Sequence, residues 1–330
     1  MKKIPVAILG ATGPVGQKII SMLEEHPRFE VAELAASDNR VGKPYGEVVA
    51  WKNEFPLSAR VAALRMLPML EVQSRLVISA LPADVAREVE PYLAARGAIV
   101  SSNASAFRME KDVPLLIPEV NGTHLELLSR QSTPGRIVTN PNCSTVFLTS
   151  ALAPLLELGE IEHVSVVTLQ ALSGAGYPGV SSFDLMGNVI PHIGGEEGKI
   201  QEETKRILGT PDQPKDFGVT VHVHRVPVVH GHTIALHARF REPVSVAEAR
   251  ESFLRWQEKG LIKFHEEQDR PQPARDLHPH EMRVHVGRLK QGDDPRMIGL
   301  ISLGHNLVRG AAGAAIANLE CAHDHLGGYV

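Results

Sequence analysis

Apolar residues follow two rhythms along this chain of 330 residues, and the change falls near position 140. Before it, short unbroken apolar runs alternate with stretches of helical spacing. PVAILG runs straight into Gly10, and PVGQKIISMLEEH sets Val15, Ile19, Ile20 and Leu23 on one helical face. FEVAELAAS, LVISALP, AIVSSN and RIVTN are further strand-like runs, and ADVAREVEPYLAARG reads as a helix closed by a glycine. Unbroken apolar strands joined by helices predict a parallel sheet covered on both faces and wound by right-handed crossovers.

Beyond position 140 the strands lengthen and begin to alternate. TVFLTSALAPLLELG predicts a helix, and HVSVVTLQAL, VTVHVHRVPVV, HTIALHARF, MRVHVGRL and RMIGLISL predict a sheet with one covered face. This half is therefore expected to be α+β. NLVRGAAGAAIANLECA predicts a helix of small residues, expected to pack back on the first half. QDRPQPARDLHPHE is polar and proline-rich and is expected as an exposed loop.

Composition removes several function classes. A net charge of −4 without a basic cluster points away from nucleic acid and from a membrane surface as partners. The apolar run near the N-terminus breaks at Gly10, too early for a signal peptide or a membrane span. Two cysteines, Cys143 and Cys321, make no disulfide framework, and a cytoplasmic setting is expected.

GATGPVG follows the first strand and opens the first helix. Gly10, Gly13 and Gly16 permit a tight turn and close backbone approach, while the helix N-terminus offers N–H groups to a pyrophosphate. A Rossmann-type nucleotide domain is expected, with Thr12, Pro14 and Val15 in the same loop. The second strand ends in SDNRVGK. Ser37, Asn39 and Arg40 are placed to hold a 2′-phosphate and favour NADP, while Asp38 would repel it. Read alone, Arg40 and Lys43 are solvated loop charges.

Taken alone, Cys143 in NPNCST reads as a small buried hydrophobe. Its place at a strand end just before a helix suits a nucleophilic thiolate, and Asn142 beside it is a candidate oxyanion donor. QALSGAGYPG ends a strand in a glycine-rich loop. Glu196, Lys199 and Glu203 share one helical face, which by itself is an ordinary ion-paired surface. HRVPVVHGHT offers Arg225 for a carboxylate and His232 for proton exchange. His222, His224 and His230 raise a metal site, but no ligand spacing supports one, and no metal is expected.

Together GATGPVG, NPNCST, QALSGAGYPG, the EEGK helix, RVPVVHGHT and NLVRGAAGAA occur in the order seen in aspartate-semialdehyde dehydrogenases, and the chain resembles their archaeal and fungal-type branch over nearly its whole length. The resemblance implies residues 1–140 as an NADP-binding domain completed by a C-terminal helix, 306–330, and residues 141–305 as a catalytic and dimerisation domain. It implies Cys143 as the acylated nucleophile, His232 as the acid/base and Gln170 as the residue orienting the covalent intermediate. Arg225 and Glu196 would hold the α-carboxylate and amino group, and Arg108, Asn142 and Lys199 the phosphate. Ser79, Leu81, Ser173, Gly174 and Asn306 would contact NADP. One departure stands out: the branch carries a Ser-x-Arg-Ser run after the second strand, and here Arg40 is displaced by one position.

The implied reaction is NADPH-dependent reductive dephosphorylation of 4-phospho-L-aspartate to L-aspartate 4-semialdehyde and phosphate. It passes through a thioester and feeds lysine, diaminopimelate, threonine, methionine and isoleucine synthesis. A homodimer or homotetramer is expected. Malonyl-CoA reductase is the nearest rival. N-acetyl-glutamyl-phosphate reductases carry glycine before the cysteine where this chain has Asn142. A catalytically dead nucleotide sensor would need none of Cys143, Gln170, Arg225 and His232.

Overall fold

A computed structural model describes residues 3–328, which divide into two compact units. The first gathers Met1–Pro118, Gly122–Pro141 and Ala311–Val330; the second gathers Glu119–Asn121 and Asn142–Gly310. Residues 306–310 thus group with the second unit and the rest of the C-terminal segment with the first.

In the first unit, β1 (Ile4–Leu9), β2 (Phe29–Ala35), β3 (Met66–Leu67), β4 (Leu76–Ser79), β5 (Ile99–Ser102) and β6 (Arg136–Thr139) pair in the order β3-β2-β1-β4-β5-β6. All the pairings are parallel. This is the doubly wound order, and the strand direction of travel reverses between β1 and β4, where such sheets open a crevice. One face of the sheet packs Ile8, Val31 and Ile78 against Ile20 and Leu23 of helix Pro14–Glu24 and against Ala315, Ile316 and Leu319 of the closing helix, Gly313–His325. The other face packs Leu9, Val77 and Val100 against Val89 and Leu93 of helix Ala83–Ala95. Each such buried aliphatic contributes about 1.5–3 kcal/mol. The small residues of the closing helix bring its backbone to the sheet: Ser101 Oγ donates to the Ala315 carbonyl at 2.8 Å.

The second unit is built on a mixed sheet of β7 (Ile161–Gln170), β8 (Gly218–Arg225), β9 (His232–Phe240), β10 (Ile262–Phe264), β11 (Val284–Gln291) and β12 (Met297–Gly304). Their order is β10-β11-β12-β9-β7-β8, with β7/β8 and β10/β11 parallel and the other pairs antiparallel. β7 and β9 alternate buried and accessible residues, as the sequence predicts for one covered face. Helix Cys143–Leu156 is buried along almost its whole length, which its apolar run requires. No helix among the described residues is long and apolar enough to cross a membrane.

The expected exposed loop at QDRPQPARDLHPHE is exposed only in part: Gln268, Asp269 and His278 are exposed, whereas Pro271, Asp276 and Glu281 are buried. Asp276 is neutralised by Arg270 and accepts the Gln272 N–H at 2.6 Å, so its carboxylate leaves water with its partners supplied.

Candidate active site

Cys143 opens helix Cys143–Leu156, and Asn142 is its N-cap: Asn142 Oδ1 accepts the N–H groups of Ser144 at 2.9 Å and Thr145 at 3.4 Å. The cysteine therefore sits at the positive end of a long helix dipole, where a thiolate is stabilised. Asn142 is itself held by helix Glu196–Leu208: its N–H donates to Glu203 Oε2 at 2.6 Å and its Nδ2 to Glu196 Oε2 at 2.6 Å. Glu203 is only 2% exposed. The surface-helix reading holds for Lys199, which pairs with Glu196 at 3.3 Å, but not for Glu203. Against Cys143 lies Gly310; a Cβ there would fall 2.7 Å from Cys143 Cβ and 3.3 Å from Phe147 Cζ.

A single peptide links the next two side chains. The Ala171 carbonyl accepts from Arg225 Nη1 at 2.7 Å, and the Ala171 N–H donates to His232 Nδ1 at 3.0 Å. Gln170 and Arg225 are register partners on β7 and β8, and Gln170 Nε2 donates to Thr168 Oγ1 at 3.5 Å. His232, at the start of β9, is fully buried, and Phe147 meets its ring edge-on. Burial, and then the Arg225 charge, pushes the imidazole down to about 3, so the ring is neutral at physiological pH. Burial lowers the Arg225 guanidinium as well, while Cys143 and Glu196 pull it back up. Gly174 leaves room between the two side chains: a Cβ there would meet Arg225 Nη1 at 2.8 Å and His232 Nε2 at 3.0 Å.

Ser173 and Asn306 form a second layer. Asn306 Nδ2 donates to Ser173 Oγ at 2.8 Å, and Asn306 Oδ1 accepts the Gly231 N–H at 2.9 Å, fixing the backbone just ahead of His232. His230 Nδ1 lies 3.1 Å from Ser173 Oγ, and the ring stacks on His305.

The other residues expected to hold the nucleotide lie in the first unit. Gly10 has φ +71°, and a Cβ there would be 2.6 Å from the Ala80 carbonyl oxygen, so only glycine fits. Gly13 caps helix Pro14–Glu24 with no side-chain bond, Pro14 takes the first turn, and Val15 and Gly16 follow it. The first N–H groups of that helix thus meet no capping side chain, the geometry an anion requires. Arg40 Nη1 donates to Thr12 Oγ1 at 2.9 Å, and Ser37 Oγ donates to Asn39 Oδ1 at 3.1 Å. Ser79 ends β4 with its hydroxyl buried beside the Glu90 carboxyl, and Leu81 follows it. These residues fit a dinucleotide. Arg108 also belongs to this unit, with Nη2 donating to the Asn103 carbonyl at 2.8 Å.

His222, His224 and His230 make no ligand cluster among the described residues; His265, Asp276 and His285 do. That cluster is occupied with itself: His265 Nε2 and His285 Nδ1 share a hydrogen bond at 2.9 Å, and Asp276 serves Arg270 and Gln272.

A family described as semialdehyde dehydrogenase, NAD binding domain, matches residues 5–128, and one described as semialdehyde dehydrogenase, dimerisation domain, matches residues 152–309. The aspartate-semialdehyde dehydrogenase of Archaeoglobus fulgidus is 49% identical over 335 residues, covering 96% of each chain. That of Saccharomyces cerevisiae is 36% identical over 357 residues, covering 97% of each. The crystal structure of the Candida albicans aspartate semialdehyde dehydrogenase with NADP matches at a TM-score of 0.88 and 33% identity, covering 97% of this chain and 98% of that one. A Vibrio cholerae aspartate semialdehyde dehydrogenase II complexed with ASA matches at 0.81 and 27% identity, covering 97% of this chain and 98% of that one.

Proposed function

The chain belongs to the aspartate-semialdehyde dehydrogenase family, and we propose that Cys143 is the nucleophile with which it carries out that family's reaction. It is an NADP-dependent oxidoreductase of amino-acid biosynthesis that reductively dephosphorylates 4-phospho-L-aspartate to L-aspartate 4-semialdehyde. The named relatives lend no support to the malonyl-CoA alternative.

One observation carries the assignment of Cys143: it stands at the N-terminus of a buried helix in the same unit as the Arg225–Ala171–His232 array. Its thiolate attacks the acyl carbon of 4-phospho-L-aspartate, forming a thioester as phosphate leaves. The glycine loop, Arg40, Asn39, Ser37, Ser79 and Leu81, and with them Ser173, Gly174 and Asn306, would hold NADPH, which would supply the hydride. Gln170 orients the acyl group. Arg225 spends one N–H on Ala171, and its remaining N–H groups suit the substrate α-carboxylate. Glu196 would take the amino group, and Asn142, Lys199 and Arg108 the phosphate.

The dimerisation-domain match implies self-association, and we assign a homodimer or homotetramer. Val167, Leu169, Phe183, Met186 and Val189 are large apolar side chains left accessible in the second unit, with Phe183 98% exposed. A cytoplasmic location fits a thiol enzyme.

Phosphate-dependent reduction of NADP by L-aspartate 4-semialdehyde, run beside malonyl-CoA-dependent NADPH oxidation, tests this reading. The wild-type protein should support only the first. Cys143→Ser should lower it by about 10³-fold or more while cofactor titration by fluorescence stays unchanged. Near-normal turnover in Cys143→Ser would remove Cys143 from this role.

A further inference from the structure

We propose that Asn103 is a positioning residue of this enzyme, which holds the Arg108 guanidinium in the orientation in which it takes the phosphate. This inference rests on the assignment of Arg108 to the phosphate group. Every residue it uses lies in the first unit.

Asn103 directly follows β5, in the run SSNASAFR. An asparagine at a strand end is ordinarily turn chemistry, with its amide bonded to its own backbone a residue or two away. Here the amide reaches sideways, to both neighbouring strands. Its Nδ2 donates to the Ser79 carbonyl, at the end of β4, at 3.1 Å. Its Oδ1 accepts from Nδ2 of Asn140, just past β6, at 3.2 Å. The Asn103 N–H donates to the same Ser79 carbonyl at 2.9 Å, so both lone pairs of that oxygen are used. One side chain thus fastens the carboxyl ends of β4, β5 and β6. Of these, β4 borders the reversal in strand order where doubly wound sheets take their ligands.

The residues on either side of Asn103 are fixed as well. Ser102 Oγ accepts the Ala104 N–H at 3.1 Å and donates to Glu90 Oε1 at 2.7 Å. Glu90 is fully buried on helix Ala83–Ala95, and the Ser79 hydroxyl also bonds its carboxyl. A buried carboxyl therefore braces Ser79 and Ser102 from below, while the Asn103 amide ties them from above.

With its neighbours and its amide held, the Asn103 carbonyl has a set direction, and it accepts Arg108 Nη2 at 2.8 Å. Arg108 is only 8% exposed and follows the turn Ser105–Phe107. The guanidinium is a rigid planar fork, so fixing one N–H constrains the plane of all five. A fork grips phosphate oxygens in pairs only when that plane is aligned with them, and alignment before binding is what a supporting residue supplies.

The test is a set of initial rates in the direction of semialdehyde oxidation, with inorganic phosphate as the varied substrate. Asn103→Leu keeps the branched shape and the backbone N–H to Ser79 but loses both amide bonds. It should raise KM for phosphate by about tenfold, while KM for L-aspartate 4-semialdehyde and the fluorescence Kd for NADP stay within about twofold. Arg108→Ala should raise KM for phosphate by about 10–100-fold. Because Asn103 acts through Arg108, the double variant should be no worse than Arg108→Ala alone. Arg108→Lys replaces Arg108→Ala in the cycle if the alanine variant is too slow to assay. If Asn103→Leu does not fold, Asn103→Ser, too short to reach both strands, carries the same expectation. A KM for phosphate that Asn103→Leu leaves unchanged overturns the proposal. So does a rise shared equally by all three substrates, which a merely structural role would give, and so do effects that multiply in the double variant. Failure of the phosphate assignment shows separately, as an Arg108→Ala with a normal KM for phosphate, and the proposal then falls with it.

Discussion

Gly310→Ala tests how closely the chain is pressed against Cys143, the proposed nucleophile. The new methyl would sit 2.7 Å from Cys143 Cβ and 3.2 Å from its Cα. Carbon atoms in contact lie at about 3.5–4.0 Å, so roughly 1 Å must be found somewhere. The turn carrying Gly310, Val308–Ala312, is a poor place to find it. Its Arg309 is buried and clasps Glu119 with two hydrogen bonds of 3.0 Å and 2.8 Å. Cys143 should therefore yield. Overpacking of this kind costs about 1–3 kcal/mol of stability, and misplacing a reacting group by about 1 Å costs up to about 10² in rate. Steady-state kinetics should show kcat falling by about 10–100-fold with KM little changed, and thermal unfolding should show a modestly lower Tm. Gly122→Ala is the control: its backbone is helical and a Cβ there meets nothing within 4 Å. An unchanged kcat in Gly310→Ala together with a lowered Tm would refute the reasoning, because the strain would then have gone elsewhere.

Two further outcomes follow from the same structure. Arg40→Ala should lower kcat/KM for NADP by about 10–100-fold, the loss of one charge-assisted contact, and leave that for NAD almost unchanged; equal loss with both cofactors in parallel assays would exclude a 2′-phosphate role. His285 is fully buried, and burial is the main cause holding its imidazole down to about 4, against about 6.5 unfolded. A lowered histidine stabilises the fold above its unfolded pKa, and that contribution is lost as pH falls toward the folded value, at about 1.4 kcal/mol per pH unit. Urea unfolding at successive pH values across that window should therefore show a shallower acid loss for His285→Gln than for the wild type, and identical slopes would contradict it.

The first unit was the more legible from sequence because its signals are local. Three glycines after an apolar run and five unbroken strands each declare themselves within a few residues. β3 did not, since two residues cannot show a period. In the second unit, alternation revealed the strands, but the parallel pairing of β10 with β11 depends on distant chain. Burial of Glu203 and Asp276 was hidden for the same reason: a carboxylate reads as solvated until its partner arrives from elsewhere. Cys143, Arg225 and His232 stood out as candidates because their side-chain chemistry is specific and each falls in a strand-end motif. Ala171 could not, because it contributes only a carbonyl and an N–H, which every residue has. Gly310 lay in a motif already singled out, NLVRGAAGAA, yet only the approach of Cys143 explains it.

The path of the chain has a consequence in time. Ala312, Ala315, Ile316, Leu319 and Ala322 belong to the core of the first unit, yet they are synthesised only after Asn142–Gly310 of the second. The strands of that unit have all been made by Thr139, and then Asn142–Gly310 must pass before the closing helix appears. At about 5–20 residues per second this interval lasts roughly 10–30 s. Throughout it one face of the nucleotide-binding sheet is covered by helix Pro14–Glu24 but not yet by the closing helix, while the unit bearing Cys143 emerges with nearly all of its own residues. The unit whose strands are made before the second unit is thus completed after it, and a ribosome that stalls before Ala311 leaves an almost complete second unit tethered to a sheet that still lacks its closing helix.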